Sequence, residues 1–441
     1  MKRREFIKSS LFASLAVAGG AAGAGETKGT AGAVGTAHPL VGKTLPAWKR
    51  GEFQVHFIYT GVGEAAFWIL PDGTTMLMDC GCHPAINRGA LAVQVLPNGK
   101  RHSGEWVARY VTRVNPHQAK VDYMLLTHYH NDHAGSDTWG AGRVALGHDE
   151  SLCLSGFAQA AETLKFGKAF DRGVAIGAIP VQELPLSEDA LSHMRKTYRF
   201  LQERDGLKTE MFKVGAVNQV AQLRESSAFP GFRITNICGN GRILRRDGTI
   251  RDLYADVGNV PWLNENGMSL GMIAEYGPFR LFSAGDFGTT FALKDGTNRD
   301  LEVELAKELD PVDVAKINHH GHHACPDPFV AALRPRVWTA CVWDQLHCTA
   351  DTMARICSRA SYPGERLVAP GIFPAERQIE DAKAPWLADV APEAFKGAHV
   401  VLTVAPGGKT YTISFVTARD ESMKVVGAYD FASRTRFQSF D

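Results

Sequence analysis

The feature that most constrains this chain is a cluster of metal-ligating side chains in residues 127–135, Thr-His-Tyr-His-Asn-Asp-His-Ala-Gly. His128, His130, Asp132 and His133 fall within six positions, directly after a short and mostly apolar run that predicts a buried strand. Neutral imidazoles and carboxylates suit Zn²⁺ and related first-row ions. An extended segment followed by a helical turn lets one such loop serve two adjacent cations. The alternative, a solvated histidine-rich loop, is disfavoured by the preceding apolar strand.

Two later strand ends carry further donors. Residues 281–286 end with Asp286, a carboxylate well placed to bridge two cations. Residues 315–323 end another predicted strand with clustered imidazoles at His319, His320, His322 and His323. Because α/β folds generally place their sites at the carboxyl ends of strands, we expect these side chains to meet the histidine cluster at one edge.

Residues 1–24 predict an export signal. A basic head with Arg3 and Arg4 precedes an apolar stretch at residues 11–24, which is shorter than the roughly 20 residues that a membrane anchor needs. The arginine pair resembles a twin-arginine signal. We therefore expect a periplasmic or secreted protein of bacterial type, with no stable membrane association once the signal is removed. The Gly/Ala/Thr-rich residues 25–45 predict a flexible lead-in.

Charge argues against a dedicated nucleic-acid binder. The 441 residues have a formal net charge of +1, of which residues 1–24 contribute +3, so the remainder carries −2. A slightly acidic body lacks a broad electropositive surface. We therefore expect a small-molecule substrate, with nucleic acid as a less favoured partner supported by Arg242, Arg245, Arg246 and Arg251. Nothing in the sequence sets the oligomeric state.

Strand and helix patterns alternate along the chain and predict an α/β fold. We expect one catalytic domain over residues 46–365, interrupted by an insertion at residues 150–230, which contains a helix over residues 188–204. A C-terminal β-rich extension, residues 366–441, is expected to pack on that domain. Ligands spread from His128 to His320 must meet at one site, which requires a single domain with insertions.

His-x-His-x-Asp-His, a later Gly-Asp and a later His together resemble the metallo-β-lactamase superfamily, over roughly residues 53–356. Within it, the chain is most similar to the β-lactamase-like domain of bacterial competence proteins, which belong to DNA-uptake channels. The matching motifs are Gly61-Val62-Gly63-Glu64-Ala65, Asp79, Ser269-Leu270, Gly285-Asp286, His319-His320-Gly321, Arg334-Pro335-Arg336 and His347. The resemblance implies a four-layer αββα sandwich, here with an insertion and a C-terminal β extension.

The resemblance also implies a ligand set for one or two divalent ions, Zn²⁺ or alternatively Mn²⁺. The implied roles are His128 and His130 for the first metal, Asp132 and His133 for the second, Asp286 as the bridge, His319 or His320 completing the second metal, and Asp79 orienting the histidine loop.

The superfamily often adds a histidine from a mid-chain strand, but residues 234–240 contain none. Three alternatives stay open: Cys238 replaces that ligand, the first metal is under-coordinated, or only one metal binds.

These residues predict an exported metal-dependent hydrolase in which a metal-bound hydroxide attacks phosphorus or a carbonyl carbon. Phosphoesters or other small esters are the favoured substrates, and a lactonase or β-lactamase activity is the alternative. Asp132 would orient the nucleophile, and His347 or His323 would protonate the leaving group. A different class of protein, a non-catalytic exported metal-binding or interaction module, is the remaining alternative.

Overall fold

Two large mixed β-sheets, flanked by helices, form the body of the protein. The computed structural model describes residues 38–83, 91–144, 150–178, 188–255, 257, 264–288, 290–293, 295–380 and 382–434. They belong to one compact unit, residues 32–441. The predicted export signal, residues 1–24, lies outside the described residues, as does the lead-in up to residue 37. Among the helices that the structure describes, none is long and apolar enough to cross a membrane.

The strands follow in chain order. They are β1 (Phe53–Phe57), β2 (Ala66–Ile69), β3 (Thr75–Met78), β4 (Lys120–Leu125), β5 (Lys165–Asp171), β6 (Lys208–Met211), β7 (Phe232–Gly239), β8 (Arg242–Leu244), β9 (Ile250–Asp252), β10 (Gly271–Tyr276), β11 (Phe279–Ala284), β12 (Thr290–Ala292), β13 (Asn298–Asp300), β14 (Val314–Lys316), β15 (Val337–Ala340), β16 (Leu367–Pro370), β17 (Ala398–Val404), β18 (Thr410–Thr417) and β19 (Val425–Ala432). The α-helices are α1 (Ser103–Val114), α2 (Asn131–Ala134), α3 (Gly156–Ala160), α4 (Glu188–Asp205), α5 (Leu301–Ala306), α6 (Asp327–Leu333), α7 (Ala350–Ile356) and α8 (Ala375–Glu380).

The strand order brings the metal-ligating segments to one edge. Within the described residues, the first sheet has the order β19-β18-β17-β1-β2-β3-β4-β5-β6 and the second β16-β15-β14-β11-β10-β7-β8-β9. β3 and β4 are parallel neighbours in the first sheet, and β11 and β14 are parallel neighbours in the second. The chain leaves these four strands at their carboxyl ends into the segments that carry Asp79, the histidine cluster, Asp286 and His320.

Hydrophobic burial arranges the sheets and helices in four layers. Trp68 and Met76 of the first sheet pack against Leu281 and Val314 of the second in one buried cluster between the sheets. A second cluster joins the outer face of the first sheet to α1, α3 and α4, and a third joins the outer face of the second sheet to α5, α6 and α7. The structure therefore confirms the αββα sandwich expected from the resemblance.

Residues 150–230, predicted as an insertion, contribute strands and a helix to the sandwich in the parts that the structure describes. Strands β5 and β6 extend the first sheet in parallel beyond β4. The helix predicted over residues 188–204 forms α4, and it covers that sheet through Leu191, Met194 and Leu201. The hydrophobic patterns that would indicate β5 and β6 are weak in the sequence. β6 is only half-buried, and lysines interrupt the apolar residues of β5.

The described part of residues 366–441, predicted as a C-terminal β-rich extension, also contributes strands to both sheets. β17 pairs with β1, and β18 and β19 continue the same sheet, while β16 forms the edge of the other sheet. Residues 38–45, assigned to the flexible lead-in, are also held in place. The backbone there bonds to Val425 and Met423, and the buried His38 lies 3.0 Å from Asp430. Pairing between segments that are distant in the sequence determines where residues 38–45 and the C-terminal strands belong in the fold. Such pairing has no local signature in the sequence.

Candidate metal centre

The histidine loop is fixed by the carboxylate that ends β3. Asp79 accepts hydrogen bonds from the backbone N–H and the hydroxyl of Thr127, both at 2.8 Å, and from Nδ1 of His133 at 2.8 Å. After β4 the chain bends at residues 128 and 129, His130 is extended, and α2 then turns the chain until Gly135, whose φ of 106° ends the helix. This geometry places His128 and His130 before the helical turn and Asp132 and His133 on it. Asp79 thus orients the loop, as expected.

One donor group consists of Glu64, His133, Asp286 and His320, all buried, with one ligand atom of each within 4.8 Å of the others. His133 donates from Nδ1 to Asp79, and His320 donates from Nδ1 to the Cys341 carbonyl at 2.7 Å. Each ring therefore presents its other nitrogen, Nε2, to the group. The two Nε2 atoms lie 3.2 Å apart, a contact that needs a cation or a proton between them.

A second donor group consists of His128, His130 and Asp286. Nε2 of His128 lies 3.1 Å from Nδ1 of His130 and 3.8 Å from Oδ2 of Asp286. Asp286 is common to both groups, and its role as a bridging ligand stays a prediction.

The chemistry of the donors fits divalent cations. Four buried carboxylates, Glu64, Asp79, Asp132 and Asp286, surround the imidazoles, and Glu64 Oε1 accepts no hydrogen bond from the described residues. Buried negative charge of this density requires compensation. Although burial opposes protonation, Asp286 and Asp132 raise the pKa of His320 to about 10. The same carboxylates, together with Asp79, raise the pKa of His133. A cation held between these groups would supply the compensation in place of those protons.

The third strand end resolves which histidine points inward. The backbones of His319 and His320 both lie in the left-handed region, with φ of 47° and 52°. Residues other than glycine rarely adopt this conformation. The resulting turn aims His320 at Asp132, whose Oδ2 lies 3.0 Å from Nε2, and leaves His319 at the wall, hydrogen-bonded to Asn266. His320, not His319, therefore joins the donor group.

The centre opens to a cavity of about 400 Å³. Imidazole, carboxylate, amide and indole side chains and one leucine line it: His83, His130, Asn131, Asp132, Asn266, Asp286, His319, His320, His322, Trp343, Asp344, Leu346 and His347. His347 stacks on His320 with 5.1 Å between ring centroids, and burial lowers its pKa well below the ordinary value. Asp132 and His347 thus both line the cavity, and their catalytic roles stay predictions.

Two candidates are not brought together with the rest. His323 is 67% exposed at its side chain and pairs with Asp351 outside the cavity, so the structure does not support it as a proton donor. Cys238 lies in the apolar core between β7 and α5, where burial raises the pKa of its thiol, and neither donor group includes it. The structure therefore does not bring Cys238 to the metal donors. All eight cysteines are buried, and none of them forms a disulfide bond.

Sequence reasoning missed Glu64 as a donor and Lys316 as its partner. Lys316 Nζ lies 3.0 Å from Glu64 Oε2, and both side chains are buried. The sequence feature that could have indicated Glu64 is the glycine turn that precedes it. A Cβ at Gly63 would lie 2.7 Å from the Asp132 carbonyl oxygen, and one at Gly81 only 1.6 Å from it. The glycines thus let the Glu64 segment approach the histidine loop.

The comparisons with known proteins support the superfamily. Residues 59–141 match the family described as the metallo-beta-lactamase superfamily, a segment that includes Glu64, Asp79 and the whole histidine loop. No curated protein sequence matches the chain. The closer relation to competence proteins stays a prediction.

Proposed function

We propose that the protein is an exported metal-dependent hydrolase that acts on phosphoesters or other small ester-type substrates. The observation that supports the proposal most strongly is the pair of donor groups sharing Asp286 at the floor of a ligand-sized cavity. The match of residues 59–141 to a superfamily of mostly hydrolytic enzymes agrees with it.

The donor groups would hold one or two divalent ions, Zn²⁺ or Mn²⁺. When bound, such an ion acidifies water and polarises the phosphorus or carbonyl centre of a substrate. Asp132 reaches into the cavity beside His320 and is placed to accept a proton from an attacking water. His347 lines the wall of the same cavity, where its ring can donate a hydrogen bond to the leaving group. Asp79 keeps His133 in the tautomer that ligates.

Surface charge supports a small substrate over a long nucleic acid. Each arginine of the basic group at residues 242–251 is paired with an acidic residue in the described part of the chain. The pairs are Arg242 with Asp252, Arg245 with Asp247, Arg246 with Asp310 and Arg251 with Glu304. The acidic partners lower the net positive charge of this surface, and the binding of a phosphate backbone depends on such charge.

Export is part of the proposal and follows from residues 1–24 alone. A twin-arginine signal would deliver an already folded protein to the periplasm or beyond. Fusion of residues 1–40 to a reporter, with Arg3 and Arg4 replaced by lysine in the control, tests this. A reporter that stays in the cytoplasm with the native arginines would contradict export.

The experiment that tests the activity is an assay of purified, metal-loaded protein on phosphodiesters, lactones and β-lactams. We expect hydrolysis of a phosphodiester or small ester, its loss after treatment with a chelator, and its loss in His128→Ala. His323→Ala is the matched control, since that exposed histidine lies outside the cavity. Turnover of lactones or β-lactams alone would favour the alternative hydrolase. No turnover of any substrate and no bound metal would favour the non-catalytic module.

A further inference from the structure

An amide oxygen is left without a partner at the wall of the metal cavity. Asn266 is 5% exposed and lines the cavity together with His130 and Asp286. Its Oδ1 is buried and has no hydrogen-bond partner among the described residues. A buried amide oxygen without a partner is unfavourable, and a cation bound in the cavity that Asn266 lines would supply a partner for it.

The orientation of this amide is set by its neighbours. Nδ2 of Asn266 lies 3.1 Å from Nε2 of His319. Because an amide nitrogen can only donate, the imidazole nitrogen accepts, and Oδ1 is turned away from His319. The backbone N–H of Asn266 donates to the side chain of Asn264 at 3.0 Å, which fixes the short turn that carries the amide.

The same turn is tied to the histidine loop. Glu265, the residue before Asn266, accepts the backbone N–H of Tyr129 at 2.9 Å. Tyr129 stands between His128 and His130, so the turn and the two ligands are held as one unit. A buried ion pair between Glu265 and Arg172, 2.9 Å apart, holds the carboxylate that makes this bond. Asn266 is therefore positioned with respect to the donor group at His128 and His130.

That donor group is incomplete. His128, His130 and Asp286 supply three donors, whereas Zn²⁺ takes four ligands and Mn²⁺ prefers more, with oxygen among them. We infer that Oδ1 of Asn266 is a further, neutral oxygen ligand of the cation held by His128, His130 and Asp286. The inference rests on the proposed function only in requiring that the centre bind divalent cations.

The amide sets the character of this subsite. The group at Glu64, His133, Asp286 and His320 is fully buried, and both of its imidazoles are fixed by hydrogen bonds from Nδ1, whereas His130 in the subsite with Asn266 is partly exposed. The subsite with Asn266 therefore binds its cation more weakly and fills second. An oxygen in place of a third imidazole also raises the preference for Mn²⁺ relative to Zn²⁺.

Metal titration of the chelator-stripped full chain tests the inference. The test measures the equivalents of bound metal by mass spectrometry across a series of free Zn²⁺ and Mn²⁺ concentrations. The Mn²⁺ electron paramagnetic resonance signal gives a second readout. The wild type should bind a tight and a weaker equivalent. Asn266→Ala should weaken the second equivalent by about tenfold or more, at least the loss that follows removal of an outer hydrogen-bond partner. Asn266→Asp, which keeps an oxygen and adds charge, should strengthen it.

The controls separate the possible failures. Asn98→Ala makes the same change outside the cavity and should leave both equivalents at wild-type affinity. Both equivalents unchanged in Asn266→Ala would overturn the inference but leave the proposed function standing. Unchanged metal binding with a raised KM would identify Asn266 as a substrate contact and would also overturn it. A wild type that binds no metal would overturn the proposed function itself. Since Asn266→Asp preserves side-chain shape, it remains informative if the alanine variant fails to fold.

Discussion

Replacing Lys316 by methionine tests whether the centre is built to hold positive charge. The Lys316 ammonium is fully buried, lies 3.0 Å from Glu64 Oε2, and donates to the carbonyls of Ala284 at 2.8 Å and Gly285 at 3.2 Å. Burial raises the pKa of Glu64, and Lys316 opposes that effect. Methionine keeps most of the volume and removes the charge.

The magnitude follows from the geometry. At 3.0 Å and an effective dielectric constant of about 20, the attraction is about 5–6 kcal/mol. Desolvation offsets much of this energy in the intact pair, but removal of one partner leaves a buried carboxylate uncompensated, at a cost of about 3–5 kcal/mol. We therefore expect Lys316→Met to lower the free energy of unfolding by that amount when metal is absent. Saturating Zn²⁺ should recover a substantial part of the loss, because the bound cation then compensates Glu64.

The assay is urea unfolding followed by circular dichroism, with chelator and with excess Zn²⁺. Glu64→Gln combined with Lys316→Met removes both charges and should be less destabilised than Lys316→Met alone. Lys307→Met removes an exposed lysine paired with Glu304 and should cost less than about 1 kcal/mol. The reasoning is refuted if Lys316→Met loses under about 1 kcal/mol with chelator present, or loses the same amount with and without Zn²⁺.

Four further outcomes are expected. Asp79→Asn should weaken metal binding about 10–100-fold in an equilibrium titration, because it disrupts the hydrogen bonds that orient the ligand loop; an unchanged affinity would contradict the orienting role. His347→Ala should lower kcat while His323→Ala should not, since only the first lines the cavity; equal kcat values would exclude a role for His347 at the leaving group. Cys238→Ala should lower stability without changing the metal content measured by mass spectrometry, because the thiol packs in the core; a lost equivalent would restore it as a ligand. Burial raises the pKa of Glu302 from 4.5 to about 8, so its contribution to stability is complete below about pH 4.5 and is lost as the pH rises towards 8; Glu302→Gln should flatten that dependence, and an unchanged slope in unfolding experiments would refute this.

The ligand loop and the strand ends could be predicted because their information is local. Four ligands within six residues after an apolar strand require little beyond the strand itself to converge. Helix α4 was predicted almost to its last residue for the same reason, since an amphipathic pattern is contained within the helix. The expected bridging carboxylate, Asp286, follows from a short Gly-Asp turn at a strand end.

Other features depended on contacts between distant segments. Glu64 becomes a donor only because two glycines let its turn approach the histidine loop, and Lys316 becomes its partner from the opposite sheet. The choice of His320 over His319 depends on two left-handed backbone conformations, which no pattern of residue types specifies. The sequence leaves Cys238 as an open ligand candidate, and the register of β7 places it in the core.

Residue type and local pattern were enough to predict a histidine- and carboxylate-rich centre at the carboxyl ends of α/β strands. Ligand identity is written in a few adjacent residues, and hydrophobic patterning places them at strand ends. The tertiary structure decided how many carboxylates surround the centre, which histidine faces it, and that residues 150–230 and 366–434 complete the two sheets. These properties depend on strand pairing and on close backbone approach between segments hundreds of residues apart, which only the folded chain brings together.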